Sequence, residues 1–176
     1  MSNSPPLPHP DSRFVAIACA VVTISDTRTP ETDRSGQLLQ QLLRSAGHRV
    51  VDYEILPDDP NRIGDRLIQW GDRAEIEAVI FAGGTGIAPR DTTYDALEAK
   101  LDKVLPGFGE LFRSLSYSEI GSRAIASRAI AGTYHNTLIF SLPGSVNAVR
   151  LAIEQLILPE LIHLVTQLNP ERPRNT

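Results

Sequence analysis

Residues 14–24, FVAIACAVVTI, form an unbroken apolar run rich in Val and Ile. That pattern predicts a strand buried on both faces of a parallel sheet. A polar loop, SDTRTPETDRSG, follows. Residues 35–46 then place Leu38, Leu39, Leu42 and Leu43 on one stripe of a helix. Gly47 suits the left-handed position just past that helix. HRVVDYEILP is a second strand candidate, less apolar and so nearer a sheet edge. In PDDPNRIGDRLIQW, Asp59 is placed to cap a helix whose first residue is Pro60. EAVIFA, residues 77–82, predicts the third strand.

Beyond it, helical spacing predicts a helix over 91–103. PGFGELFRSLSYSEIG predicts another, with an irregular entrance. SRAIAGTYHNTLIFSLPG predicts two strands about a His-Asn turn. The last helix starts near Ser145 and turns Val146, Val149, Ile153, Leu156 and Ile157 inward, with a kink expected at Pro159. Trp70, Phe108 and Phe112 fall at helical positions and are expected in the core. Strand, helix, strand, helix, strand in this order implies right-handed crossovers and a parallel sheet with helices on both faces.

Composition narrows the function classes. The 176 residues are 41% hydrophobic and 22% charged, with a formal net charge of −4. These are ordinary values for one globular domain. The negative balance disfavours non-specific nucleic-acid binding. No apolar run reaches the roughly 18 residues of a membrane span. Cys19 is the single cysteine and lies in an apolar run, so a buried thiol is expected and an internal disulfide is excluded. The start, MSNSPPLPHPDSR, lacks the basic and apolar regions of a secretory signal. It reads as a proline-rich mobile tail, residues 1–13, before a domain spanning 14–168 and a C-terminal tail, 169–176. The expected location is cytoplasmic.

The stretch FAGGTGIAPRDTTYDA, residues 81–96, carries the candidate chemistry. It breaks from a strand into three glycines and re-enters a helix through Arg90, Asp91, Thr92 and Thr93. In open parallel sheets, ligands bind beyond the carboxyl ends of the strands. Glycines there allow close approach to the main chain, and the free amides of a helix's first turn favour anions. Thr85, Thr92 and Thr93 add hydroxyls, and Arg90 adds a fork suited to phosphate. A phosphate cradle and a plain tight turn both fit this local pattern. The P-loop does not, because it needs a Lys directly after its glycines and no Lys occurs between Asp26 and Lys100, and GTGIAP departs from the dinucleotide fingerprint.

Asp91 reads either as an N-cap or as a carboxylate beside bound phosphates. Asp59 is accounted for by capping, whereas Asp58 has no such local role. Asp58 and Asp91 together would suit one Mg²⁺ with substrate phosphates. Ser25, Asp26 and Thr27 after the first strand, and Ser145 after the last, reach the same edge; each alone also suits a turn or cap. His9, His48, His135 and His163 form no metal spacing, and no nucleophile elbow occurs.

Six motifs in order, SDT, PDD, GGTG with RDTT, PGFGELFR, SRAIAG and LIFSLPGS, resemble the MoaB/MogA molybdopterin-binding family of molybdenum cofactor biosynthesis. The resemblance covers roughly residues 14–168 and is closer to MoaB. It implies a three-layer α/β/α sandwich with a mostly parallel sheet. It also implies adenylylation of molybdopterin by Mg-ATP with release of pyrophosphate. Mg²⁺ would enter with ATP as co-substrate, with no permanently bound cofactor. By the same resemblance Asp58 and Asp91 match the two essential aspartates, which would hold Mg²⁺. Gly83, Gly84, Thr85 and Gly86 match the glycine motif, Ser25 and Asp26 the SD turn, and Pro143, Gly144 and Ser145 the PGS turn. Arg90 and Thr92 join them as nucleotide or phosphate contacts. Ser145 stands where adenylyltransferases often carry Asn. That departure motivates an alternative, a non-catalytic molybdopterin-binding or scaffold protein of the same pathway. The implied partners are molybdopterin, ATP, other enzymes of the pathway and further copies of the chain, as a trimer or hexamer. Neither nucleic acid nor membrane is among them.

Overall fold

The computed structural model describes residues 14–170. The proline-rich segment 1–13, with His9, and residues 171–176 lie outside the described residues. Six strands form one sheet: β1 (Ala18–Ile24), β2 (Arg49–Leu56), β3 (Ala78–Ala82), β4 (Lys103–Val104), β5 (Ile130–Tyr134) and β6 (Thr137–Leu142). Their spatial order is β2-β1-β3-β6-β5-β4. β2, β1, β3 and β6 run parallel, while β5 and β4 are antiparallel additions.

Helices cover both faces. α1 (Arg34–Ser45), α4 (Pro106–Ile120), α5 (Val146–Ala152) and α6 (Leu158–Leu168) pack on one. α2 (Pro60–Gly71) and α3 (Thr93–Glu98) pack on the other. The result is the three-layer α/β/α architecture with a mostly parallel sheet. Period-2 alternation divides the apolar strands between the layers. Cys19, Val21, Ile80 and Phe140 face the first layer; Ala20, Val22, Val79 and Ile139 face the second. Burial pushes the Cys19 thiol up to about 12, so it is neutral and inert.

Local signals place most boundaries. Asp59 accepts bonds from the amides of Asn61 and Arg62, and Pro60 opens α2. Gly47 has φ +86° after α1, and β2 is the sheet edge. Trp70 and Phe112 are buried, while Phe108 is half-buried, its ring 5.4 Å from that of Phe140.

Three expectations change. The first strand begins at Ala18, not residue 14: Phe14 is exposed and turns against His48 instead of joining the sheet. The helix expected over 91–103 is only Thr93–Glu98. Downstream, Asp102 and Leu105 donate to the carbonyls of Thr133 and Ala131, drawing β4 onto β5. The last helix is not continuous. α5 passes into one π turn, Ile153–Ile157, before α6 begins with Pro159 in its first turn. Proline lacks the amide that would continue the ladder, so the chain takes the wider turn there. Val149, Ile153 and Ile157 are buried as expected; Val146 and Leu156 are half-buried.

A cleft at the carboxyl ends of the strands

β1, β2, β3 and β6 end in register, with Ile24 beside Leu56, Thr23 beside Ala82, and Ala82 beside Leu142. Their exit loops therefore meet at one edge. The chain crosses from β2 over β1 to β3, so the gap beyond β1 and β3 is a topological switch point. A cleft of about 380 Å³ opens there. A larger hollow of about 660 Å³ lies at the opposite edge, around Asp72, Glu77 and Asn136. None of the predicted site residues lines it, and parallel sheets bind ligands at the other end.

Of the predicted residues, Ser25, Asp58, Gly83, Gly84, Arg90, Asp91, Gly144 and Ser145 line the switch-point cleft. Asp26, Thr85, Gly86, Thr92 and Pro143 do not, though most of them support it. Asp26 Oδ1 accepts from the Asp58 amide at 3.2 Å, tying the SDT loop to the PDD loop. Asp26 Oδ2 pairs with Arg90 at 2.8 Å. Arg90, expected as a fork for phosphate, is thus engaged with Asp26 across the mouth of the cleft. Thr85 is buried behind the lining.

The glycines have a steric reason. Gly83 has φ +117°, and a Cβ there would sit 2.3 Å from the Ile24 carbonyl oxygen. Gly84 has φ +63°, and its Cβ would meet Thr93 Oγ1 at 2.1 Å and Asp58 Oδ2 at 2.4 Å. The missing side chains let the Asp58 carboxylate settle against the turn.

Two aspartate expectations are corrected. Asp58 does have a structural task. Its Oδ1 accepts from the Thr92 amide at 3.1 Å and from Thr92 Oγ1 at 2.7 Å, satisfying the start of α3. Asp91, in turn, is not the cap: the N-cap of α3 is Thr92, and Asp91 Oδ2 accepts the Ala88 amide at 3.1 Å. Among the described residues, Oδ2 of Asp58 and Oδ1 of Asp91 accept no hydrogen bond. Among the described residues, no three His, Cys, Asp or Glu side chains gather into a metal cage. Two carboxylates lining one cleft still suit Mg²⁺, an ion that is usually held by one or two carboxylates and keeps water or phosphate oxygens as its other ligands. Ser25 Oγ accepts the amides of Thr27 and Arg28, and Ser145 Oγ accepts that of Ala148 as cap of α5.

Sequence reading passed over three polar side chains here. Asp33 is fully buried at the N-cap of α1. It accepts from the Gly36 amide at 3.0 Å, Ser35 Oγ at 3.1 Å and Tyr53 Oη at 2.7 Å. Burial raises its pKa, but hydroxyl donors including Thr23 and Tyr53, with the Gly36 amide, outweigh burial and hold it below the usual value. Arg28 pairs with Asp33 and lines the cleft. Arg128, from the SRAIAG motif, donates to the carbonyls of Thr85 at 3.2 Å and Asp91 at 3.4 Å. It also pairs with Asp95 and lies over the Tyr94 ring, bracing the glycine turn from outside. A cation two residues past the SD turn was the available signal for Arg28.

The family described as "Probable molybdopterin binding domain" matches residues 20–163. Molybdenum cofactor biosynthesis protein B of Bacillus cereus is 53% identical over 154 residues, covering 87% of this chain and 91% of that protein. A crystal structure of a molybdenum cofactor biosynthesis protein B superposes with TM-score 0.88 at 51% identity, covering 90% of this chain and 99% of the other. The tungsten cofactor synthesizing protein MoaB from Pyrococcus furiosus superposes with TM-score 0.79 at 34% identity, covering 89% and 99%.

Proposed function

The chain belongs to this molybdopterin-binding family of molybdenum cofactor biosynthesis, and from that membership we propose that its cleft adenylylates molybdopterin with Mg-ATP. A phosphate oxygen of molybdopterin attacks the α-phosphorus of ATP. The bond from that phosphorus to the bridging oxygen breaks, and pyrophosphate leaves with the electron pair. The observation that carries this reading is the meeting of Asp58, Asp91 and the Gly83–Gly84 turn in one cleft at the switch point.

Reactions of this kind need positioning and charge neutralisation more than covalent help. The free oxygens of Asp58 and Asp91 would hold Mg²⁺, which neutralises charge on the phosphates when bound. The glycine turn admits phosphate oxygens close to the main chain, and Asp58 fixes that turn by anchoring Thr92. Arg90 would exchange Asp26 for a phosphate oxygen, since its present pair is largely solvent-exposed and weak. Ser145 caps α5 as an Asn would, so that departure leaves the turn intact.

The test is pyrophosphate release from purified protein with molybdopterin and Mg-ATP, beside Asp91→Asn. Release that falls about 100-fold or more in the variant, the scale of one lost electrostatic contact, supports the reaction. Molybdopterin binding with no release from the wild type would select the non-catalytic binding protein motivated by Ser145.

The same reading includes a cytoplasmic location and assembly into trimers, paired as hexamers. In its favour, α4 and the 3₁₀ turn after it expose Leu111, Tyr117, Ile120 and Ile125, an apolar set suited to burial between copies. Light scattering on a sizing column should give three or six times 19.3 kDa; a monomer refutes it. Among the described residues, no helix is long and apolar enough to cross a membrane.

A further inference from the structure

Arg28 is held in an unusual way for a residue of a polar loop. Its Nη1 donates to Asp33 Oδ1 at 3.2 Å and to Ser35 Oγ at 2.7 Å. Ser35 Oγ in turn donates to the same carboxylate. The backbone amide of Arg28 is bound to Ser25 Oγ at 3.2 Å. One end of the guanidinium is therefore pinned to a fully buried carboxylate. Among the described residues Nε and Nη2 have no hydrogen-bond partner, and the side chain is 35% exposed where it lines the cleft. A planar fork with one arm fixed and one edge open has already lost the rotamer freedom that binding would otherwise cost.

The Asp33 carboxylate does not need Arg28 for its own satisfaction. The Gly36 amide, Ser35 and Tyr53 all donate to it. Nor does Arg28 pair with the other two carboxylates of the cleft: among the described residues its acid partner is Asp33. The cleft thus carries a fixed cation on the α1 side and Asp58 with Asp91 on the α3 side. A dianionic group seated against Arg28 would lie between that cation and any cation held by the two aspartates.

We propose that Arg28 is a phosphate-binding residue of this cleft, presenting its Nε and Nη2 edge to a substrate phosphate, with Asp33 and Ser35 as positioning residues. The proposal rests on the adenylylation reading for the identity of the substrates, but not on turnover. The ligand chemistry is a phosphomonoester or a phosphoanhydride, and two sources supply it: molybdopterin and the ATP tail.

The test is calorimetric titration of the full chain with inorganic pyrophosphate, with molybdopterin and with Mg-ATP. Wild type, Arg28→Ala, Arg28→Lys and Ser35→Ala are compared, with circular dichroism as the check on folding. Arg28→Ala should weaken pyrophosphate about 10- to 100-fold, the range for a charge-assisted hydrogen-bonded pair. Lysine cannot hold Asp33 and the ligand at once, so Arg28→Lys should restore only part of the loss. Ser35→Ala, which frees one anchor, should weaken binding less. If only molybdopterin binding falls in parallel, its phosphate is the occupant; if only Mg-ATP, the triphosphate is. Either result supports the seat. Folded Arg28→Ala that binds all three ligands as tightly as wild type overturns it, and so does a wild type that binds none. A wild type that binds these ligands through Arg28 but releases no pyrophosphate would sink the reaction and leave the seat standing.

Discussion

Asp58 has two tasks that a pair of substitutions separates. Its Oδ1 anchors the Thr92 amide and hydroxyl, while its Oδ2 accepts no hydrogen bond among the described residues and rests against Gly84. Asp58→Ala removes both functions. It leaves the amide and hydroxyl of Thr92, the N-cap residue of α3, without their acceptor, a loss comparable to that of a helix cap, about 0.5–2 kcal/mol. For a chain of this size that lowers the melting temperature by about 1–8 °C. Asp58→Asn keeps a carbonyl oxygen where Oδ1 stood, so both anchors survive and the melting temperature should stay within about 2 °C of wild type. The charge is gone, however, and with it a ligand for Mg²⁺. Pyrophosphate release should therefore fall by about 100-fold or more in both variants, with a higher Mg²⁺ requirement in Asp58→Asn. Differential scanning fluorimetry and a coupled pyrophosphate assay read the two quantities on the same samples. Asp58→Asn turning over within threefold of wild type would refute the charge role. Equal melting of the two variants, both well below wild type, would refute the anchoring of Thr92.

Gly83→Ala should cost at least about 2 kcal/mol, because φ +117° is strained for any side chain and the Ile24 carbonyl cannot move aside. A melting temperature unchanged within 2 °C would contradict that. His48 is buried, its Nδ1 accepts the Ile17 amide at 3.1 Å, and burial lowers its pKa below 6.5. The folded state then binds fewer protons than the unfolded state below about pH 6.5. Stability is present above that value and is lost as pH falls, at up to about 1.4 kcal/mol per pH unit. Urea midpoints between pH 5 and 8 should show this slope in wild type and a shallower one in His48→Gln; parallel profiles would count against it.

Much of this molecule follows from neighbours in the chain. The apolar runs ending at Ile24 and Ala82 form central strands because almost every position is apolar and leaves no face for water. Asp59 before Pro60 starts a helix, and Gly47 ends one, through contacts within a turn of themselves. The glycine turn and the acidic PDD loop were also legible, and parallel strand order put them on one edge. What the aspartates and arginines do there was not legible. Asp58 meets Thr92 across 34 residues of sequence, Arg90 meets Asp26 across 64, and Arg128 reaches Thr85 across 43. Each of those contacts exists only once the strands stand in register. β4 likewise leaves the helical pattern of residues 91–103 because the β5 edge offers it hydrogen bonds. Spacing along the chain reports torsions and faces; partners of charged groups depend on which loops the sheet brings within 3 Å, and that is decided by the assembled fold.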